Sequence, residues 1–302
     1  MTRKLSIGTW AYTFGPYEKN PIPFEQVVRR LGELEFDGVE IGGFRPHIHP
    51  DDYPMKCDRE KVKNLVKVNG LEVSGLAADF WGTPGPGTDA ALQNNAYLNL
   101  FKKNLQLCLD LGAPAIRVDT VSGPDGIPGV DRNVALKRIA DLWRQCAGIA
   151  ESHGVKMVWE FEPGFLFNKP SEVVRMVEEV NHPNFKVMFD TCHAYMCSVV
   201  GARQFGDKET LPGGVVEFAR MLKGKIGHVH LIDSDGTLHG NETSTHRPFG
   251  EGKIDFDKVI PAIMEDARYT GKWWTIDLCF WPEAWDVTEA AQKFLAPYLA
   301  RY

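Results

Sequence analysis

The chain has 302 residues, 43% of them hydrophobic and 25% charged, which suits one large globular domain and excludes fibrous and disordered classes. A net charge of −6 offers no basic surface to nucleic acid, and no apolar run reaches the length needed to span a membrane. The N-terminal MTRKLSIGTW lacks the apolar stretch and cleavage site of a signal peptide, and the six cysteines form no CxxC pair, so free thiols in the cytoplasm are expected.

Strand-like runs at 5–10, 38–43, 71–77, 115–120, 155–161, 185–190, 226–232 and 273–280 alternate with helical patterns at 24–35, 99–112, 133–154, 170–180, 214–223, 255–268 and 286–299. A glycine stands between a helix end and the next strand at Gly70, Gly112, Gly154, Gly224 and Gly271, where a left-handed residue would end the helix and permit a short turn. Gly70, Gly112 and Gly154 lie 42 residues apart (112 − 70 and 154 − 112), the period of a repeating βα unit. Helix-to-strand turns are therefore short, while the strand-to-helix connections are long at 43–57, 79–93, 119–132, 191–213 and 233–254. This pattern predicts an α/β fold, a single-domain (β/α)8 TIM barrel over residues 1–302, with its site at the carboxyl ends of the strands. An open doubly wound sheet competes, but no glycine-rich phosphate fingerprint follows the first strand.

The last four strand-like runs end in groups that resist burial unless paired or bound to a cation. VKMVWEFEP carries Glu160 and Glu162, FKVMFDTCH carries Asp190 and His193, IGHVHLID carries His228, His230 and Asp233, and WWTIDLCFW carries Asp277. Alternation puts Glu160 and Glu162 on one strand face, with Trp159 and Phe161 on the other. Glu160, further inside the strand, suits a ligand; Glu162 suits either the site or the exposed start of a loop. Asp190 could cap the next helix, although its DxxH spacing presents a carboxylate and the His193 imidazole together. His230 lies nearer the rim than His228, which suits a hydrogen-bonded interior position. Asp277, set among aromatic and aliphatic residues, calls for an arginine or a cation. One divalent ion held by carboxylates and a single imidazole is expected, manganese first, with magnesium, cobalt or zinc as alternatives.

Loops add further polar and aromatic groups: His47 and His49, then Asp79, Phe80 and Trp81, then Arg117 and Asp119, then His246 and Arg247. Trp10, Trp81 and Phe280 could stack on a sugar ring or simply pack in the core. Glu40 could support a ligand, touch substrate or pair with an arginine.

Between Gly154 and Phe280 the segments GVKMVWE, PNFKVMFDTCH, IGHVHLID, FGEGKIDF and GKWWTID resemble the successive strand ends of the xylose-isomerase-like superfamily of sugar isomerases and epimerases. That resemblance implies a TIM barrel with one divalent ion on Glu160, Asp190, His230 and Asp277. It implies Glu160 and Asp277 as catalytic acid and base, with substrate contacts at His193 and Arg247, to which Trp81 and Glu162 are added as substrate-binding candidates. The eighth-strand ligand of the family is usually glutamate, so Asp277 departs from it by one methylene. The implied function is isomerisation or epimerisation of a keto sugar or polyol through an enediolate. The alternatives are a dehydratase or lyase on a keto-inositol or 3-keto-glycoside, and a barrel that binds metal or sugar without turnover. A DNA-repair phosphodiesterase would want more histidines and a positive surface. The expected partner is a small-molecule sugar or polyol, with no nucleic acid and no membrane; a homo-oligomer is an option.

Overall fold

A computed structural model of the chain describes residues 3–302. The strands are β1 (Lys4–Ile7), β2 (Gly38–Gly42), β3 (Glu72–Ala77), β4 (Ala115–Val118), β5 (Lys156–Glu160), β6 (Phe185–Asp190), β7 (Ile226–Leu231), β8 (Asp233–His239), β9 (Thr243–Arg247) and β10 (Trp273–Ile276). All but β8 and β9 join one eight-stranded parallel sheet in the order β1-β10-β7-β6-β5-β4-β3-β2. A parallel bridge between Gly8 and Glu40 brings the two edges together and nearly closes the barrel. β2 and β7 are buried along their whole length, as expected of parallel strands covered on both faces.

The covering helices are α1 (Phe24–Glu33), α2 (Lys56–Val68), α3 (Asp89–Leu92), α4 (Ala96–Leu111), α5 (Arg132–Ser152), α6 (Pro170–Val180), α7 (Thr191–Tyr195), α8 (Gly214–Met221), α9 (Phe256–Pro261) and α10 (Ala284–Arg301). α1 buries Phe24, Val27, Val28 and Leu31, the spacing that lays one apolar stripe against a sheet. α5 starts at Asp131, whose carboxylate accepts the amides of Asn133 and Val134 and so caps the helix. Trp159 and Phe161 point outward from β5 as alternation requires. Trp159 meets Trp143 of α5 at 5.5 Å between rings, and Phe161 meets Phe218 of α8 at 5.0 Å. No helix among the described residues is long and apolar enough to cross a membrane.

The single-domain barrel matches the expectation, with three local differences. First, α2 lies where the sequence suggested no named helix, and β8 pairs with β9 in an antiparallel hairpin inside the long 233–254 connection. Second, the first strand stops at Ile7, and a 3-10 turn over Thr9–Tyr12 turns Trp10 back over the barrel mouth. Third, Gly112 does end its helix in the left-handed region at φ 76°, whereas Gly271 is absent from that region. A Cβ on Gly271 would stand 2.2 Å from the Tyr269 hydroxyl, so close approach, not turn geometry, calls for glycine there. All six cysteines are free thiols.

Candidate metal centre and active site

Parallel register decides which side chains meet at the carboxyl rim. Glu160 and Asp190 are the last residues of β5 and β6, Asp190 lies level with His230 of β7, and Asp277 follows the last residue of β10. Alternation turns all four into the barrel, where a ligand atom from each of Glu160, Asp190, His230 and Asp277 lies within 4.8 Å of the others. His230 Nδ1 stands 3.1 Å from Glu160 Oε1 and 3.5 Å from Asp277 Oδ2.

Each of these groups is anchored on the side away from the cluster. Arg117 Nε donates to Glu160 Oε2 at 2.5 Å, and Arg117 also pairs with Asp119 at 3.0 Å. Trp10 Nε1 and the Cys279 amide donate to Asp277 Oδ1 at 2.8 and 2.9 Å. The His193 amide donates to Asp190 Oδ1 at 2.7 Å. His230 Nε2 faces Glu40 Oε2 at 3.3 Å, while His228 Nε2 and Thr275 Oγ1 reach the same oxygen at 2.7 and 2.9 Å. Glu40 therefore pairs with two histidines and no arginine, and His228 is the hydrogen-bonded interior residue expected.

What remains points inward without a partner. Glu160 Oε1, Asp190 Oδ2 and His230 Nδ1 are buried and make no hydrogen bond. Three carboxylates packed around one imidazole also leave an excess of negative charge. Burial alone would depress His230, but Glu40, Asp277 and Glu160 raise it well above the ordinary histidine range. Asp190 is pushed well above the carboxylate range by burial and by the Asp277 charge. Burial opposes ionisation of Glu160, yet Arg117 and His230 outweigh it and hold the carboxyl at about 2. Asp277 is likewise held low against burial, by His246, His230 and Trp10. Orphaned hard oxygens, surplus negative charge and an imidazole nitrogen from which a cation would displace the proton are what a divalent ion satisfies, so the residues present fit one.

Above the cluster opens a cavity of about 460 Å³. Its floor includes Glu160, Asp277, Arg117, Glu162 and His193, and its mouth carries Phe14, Phe44, Trp81, Phe165 and Phe280. Glu162 is buried at 8% exposure, which removes the exposed-loop alternative. Its carboxylate accepts from Thr243 and lies 3.7 Å from His193 Nε2. Burial, reinforced by the Glu160 charge, pushes Glu162 up to about 8 against that hydrogen bond. Ser244 Oγ meets His193 Nδ1 at 2.8 Å, and burial together with His246 pushes His193 down to about 3. Trp81 is 58% exposed at the rim.

The remaining candidates fall elsewhere. Arg247 does not line the cavity: its Nε donates to Asp235 at 2.7 Å and its guanidinium lies 5.0 Å over the Trp281 ring. Asp233 is spent on the amides of Ser234, Gly250, Gly252 and Ile254, so it fastens the loop after the hairpin. His47 bonds the Ile22 carbonyl, and Phe80 stacks on Tyr97 in the core. Thr243 and Ser244, which orient Glu162 and His193, belong to a hairpin that hydrophobic periodicity does not reveal. Its one local signal is the turn-forming Gly240–Asn241 pair, since the DSDGTLH segment before it is poor in β-branched and aromatic residues.

Similarity to known proteins agrees with this architecture. Residues 28–297 match the family model described as xylose isomerase-like TIM barrel. Fructoselysine 3-epimerase of Escherichia coli O157:H7 is 24% identical over 256 residues, covering 83% of this chain and 84% of its own. 3-Dehydroshikimate dehydratase of Bacillus anthracis is 20% identical over 282 residues, covering 91% of each chain. Among solved structures, the IOLI protein with a bound zinc atom superposes with a TM-score of 0.74 at 18% identity, covering 99% of both chains. The chain belongs to the xylose isomerase-like TIM barrel family, whose members are enzymes.

Proposed function

We propose that this protein is a divalent-metal-dependent isomerase or epimerase of a keto sugar or keto polyol, with Glu160, Asp190, His230 and Asp277 holding the ion. The observation that carries the reading is the set of buried, unpartnered atoms of Glu160, Asp190 and His230 converging beside Asp277 on the cavity floor. Carboxylate oxygens with a single imidazole suit manganese first, with magnesium, cobalt or zinc as alternatives. An ion held there would supply Lewis-acid polarisation of a carbonyl and offset the negative charge that develops on deprotonation.

The chain's own residues do the rest. Arg117 keeps Glu160 ionised, so that its carboxylate can accept the proton from the carbon beside the carbonyl. Asp277 is the second proton carrier, its carboxylate fixed in place by Trp10 and Cys279 at Oδ1. His193 and Glu162 face the substrate and orient its hydroxyls, and Trp81 shields the mouth. A phosphodiester suits this cavity poorly: its floor is carboxylate-rich, and Arg117 is already engaged by Glu160 and Asp119.

The test is a manganese-loaded incubation of D-fructose, fructoselysine and a keto-inositol in D₂O. The expected result is deuterium at the carbon beside the carbonyl of at least one of them, and incorporation into none would sink the reading. A second reading, elimination by a dehydratase or lyase, draws on the tethering of Asp277. One methylene shorter than glutamate and held at Oδ1 by Trp10 and Cys279, Asp277 has less reach for returning a proton to the opposite face, which favours loss of a leaving group from the deprotonated substrate. An unsaturated product absorbing in the ultraviolet would identify that reaction.

A further inference from the structure

We infer that His246, and not its neighbour Arg247, is the side chain by which the β8–β9 hairpin contacts the substrate, through a hydrogen bond from its imidazole to a substrate hydroxyl beside the one that His193 takes. The inference rests on the keto-polyol reading of the same cavity. It begins with strand alternation: adjacent residues of β9 face opposite sides, so His246 and Arg247 do not share a face, and of the two only His246 lines the cavity. Ser244 and His246 take the buried face, while Thr245 and Arg247 take the other; Thr243, at the start of the strand, reaches Glu162 beside the hairpin turn. Ser234 and Ser244 are fully buried on this hairpin, and Ser244 holds His193 in place.

His246 lines the cavity at 3% exposure, and both of its ring nitrogens are buried without a hydrogen-bond partner. Buried polar side chains are nearly always bonded, so an imidazole left free at a cavity wall awaits a ligand. A neutral imidazole offers one donor and one acceptor, and a hydroxyl can answer either. His193 stands edge-on to His246 with ring centroids 5.0 Å apart. Two imidazoles so placed can take two neighbouring oxygens, as in the hydroxyketone unit of a keto polyol. Arg247 is committed to Asp235 and Trp281 and has no such freedom.

The experiment compares His246→Leu, His246→Asn and Arg247→Ala with wild type on D-fructose, fructoselysine and a keto-inositol, all manganese-loaded. With whichever of these the wild type converts, H246L should lose on the order of 10- to 100-fold in kcat/KM, H246N should recover part, and R247A should stay within about threefold. Manganese affinity of H246L, by calorimetry, should match wild type, and its metal-free melting temperature should equal or exceed wild type because an unsatisfied polar group is gone. Undiminished turnover by H246L, or the large loss falling on R247A, overturns the assignment while leaving the proposed function standing. Lost manganese affinity in H246L overturns it too, since His246 would then be a ligand. If the wild type converts none of the three, the polyol reading fails and this inference falls with it.

Discussion

Glu40→Gln offers a test of the metal centre away from the ligands themselves. Glu40 is fully buried beneath the candidate site, and its Oε2 receives His228 Nε2 at 2.7 Å, Thr275 Oγ1 at 2.9 Å and His230 Nε2 at 3.3 Å. By accepting the Nε2 proton of His230, the carboxylate keeps Nδ1 directed at Glu160 and Asp277 as the nitrogen that gives up its proton to a cation, the orientation a ligand needs. An amide oxygen can still accept, but it lacks the charge that fixes the tautomer and adds a donor where none is wanted. Loss of such a carboxylate–histidine support typically costs 10–100-fold in metal affinity, about 1.4–2.7 kcal/mol. Calorimetric titration of Mn²⁺ into chelator-stripped wild type and E40Q, with circular dichroism to confirm the fold, reads this directly. A folded E40Q that binds Mn²⁺ as tightly as wild type would refute the role given to Glu40 and weaken the assignment of His230 as a ligand.

Asp190→Asn should abolish tight Mn²⁺ binding yet leave the metal-free melting temperature unchanged or higher, because it removes one of three carboxylates crowded around His230; a lower melting temperature would contradict the crowding. Phe161→Ala empties a fully buried site packed against Phe189 and Phe218, and should cost about 3–5 kcal/mol in urea unfolding. Gly271→Ala should destabilise by more than the roughly 1 kcal/mol of a simple left-handed glycine, since the new methyl meets the Tyr269 hydroxyl; a smaller loss would show that the ring moves aside freely.

Much of the barrel was legible along the chain because its signals are local. Parallel strands buried on both faces read as apolar runs, glycines such as Gly112 mark helix ends, and long connections collect on one side. The same locality singled out Glu160, Asp190, His230 and Asp277, since a charge closing an apolar strand is conspicuous without any partner in view. What each acid does was not local. Asp233 follows an apolar run much as Asp190 closes one, but it opens β8 and fastens a loop because Gly250, Gly252 and Ile254 return to it. Glu40 is held by histidines that lie 188 and 190 residues away. The division between His246 and Arg247 depended on a hairpin whose pairing decides which of two adjacent residues faces inward. Strand character and residue chemistry were thus determined by the sequence alone. Which lone pairs remain without a partner was decided only by the tertiary structure, because hydrogen-bond satisfaction depends on neighbours that the closed barrel brings together.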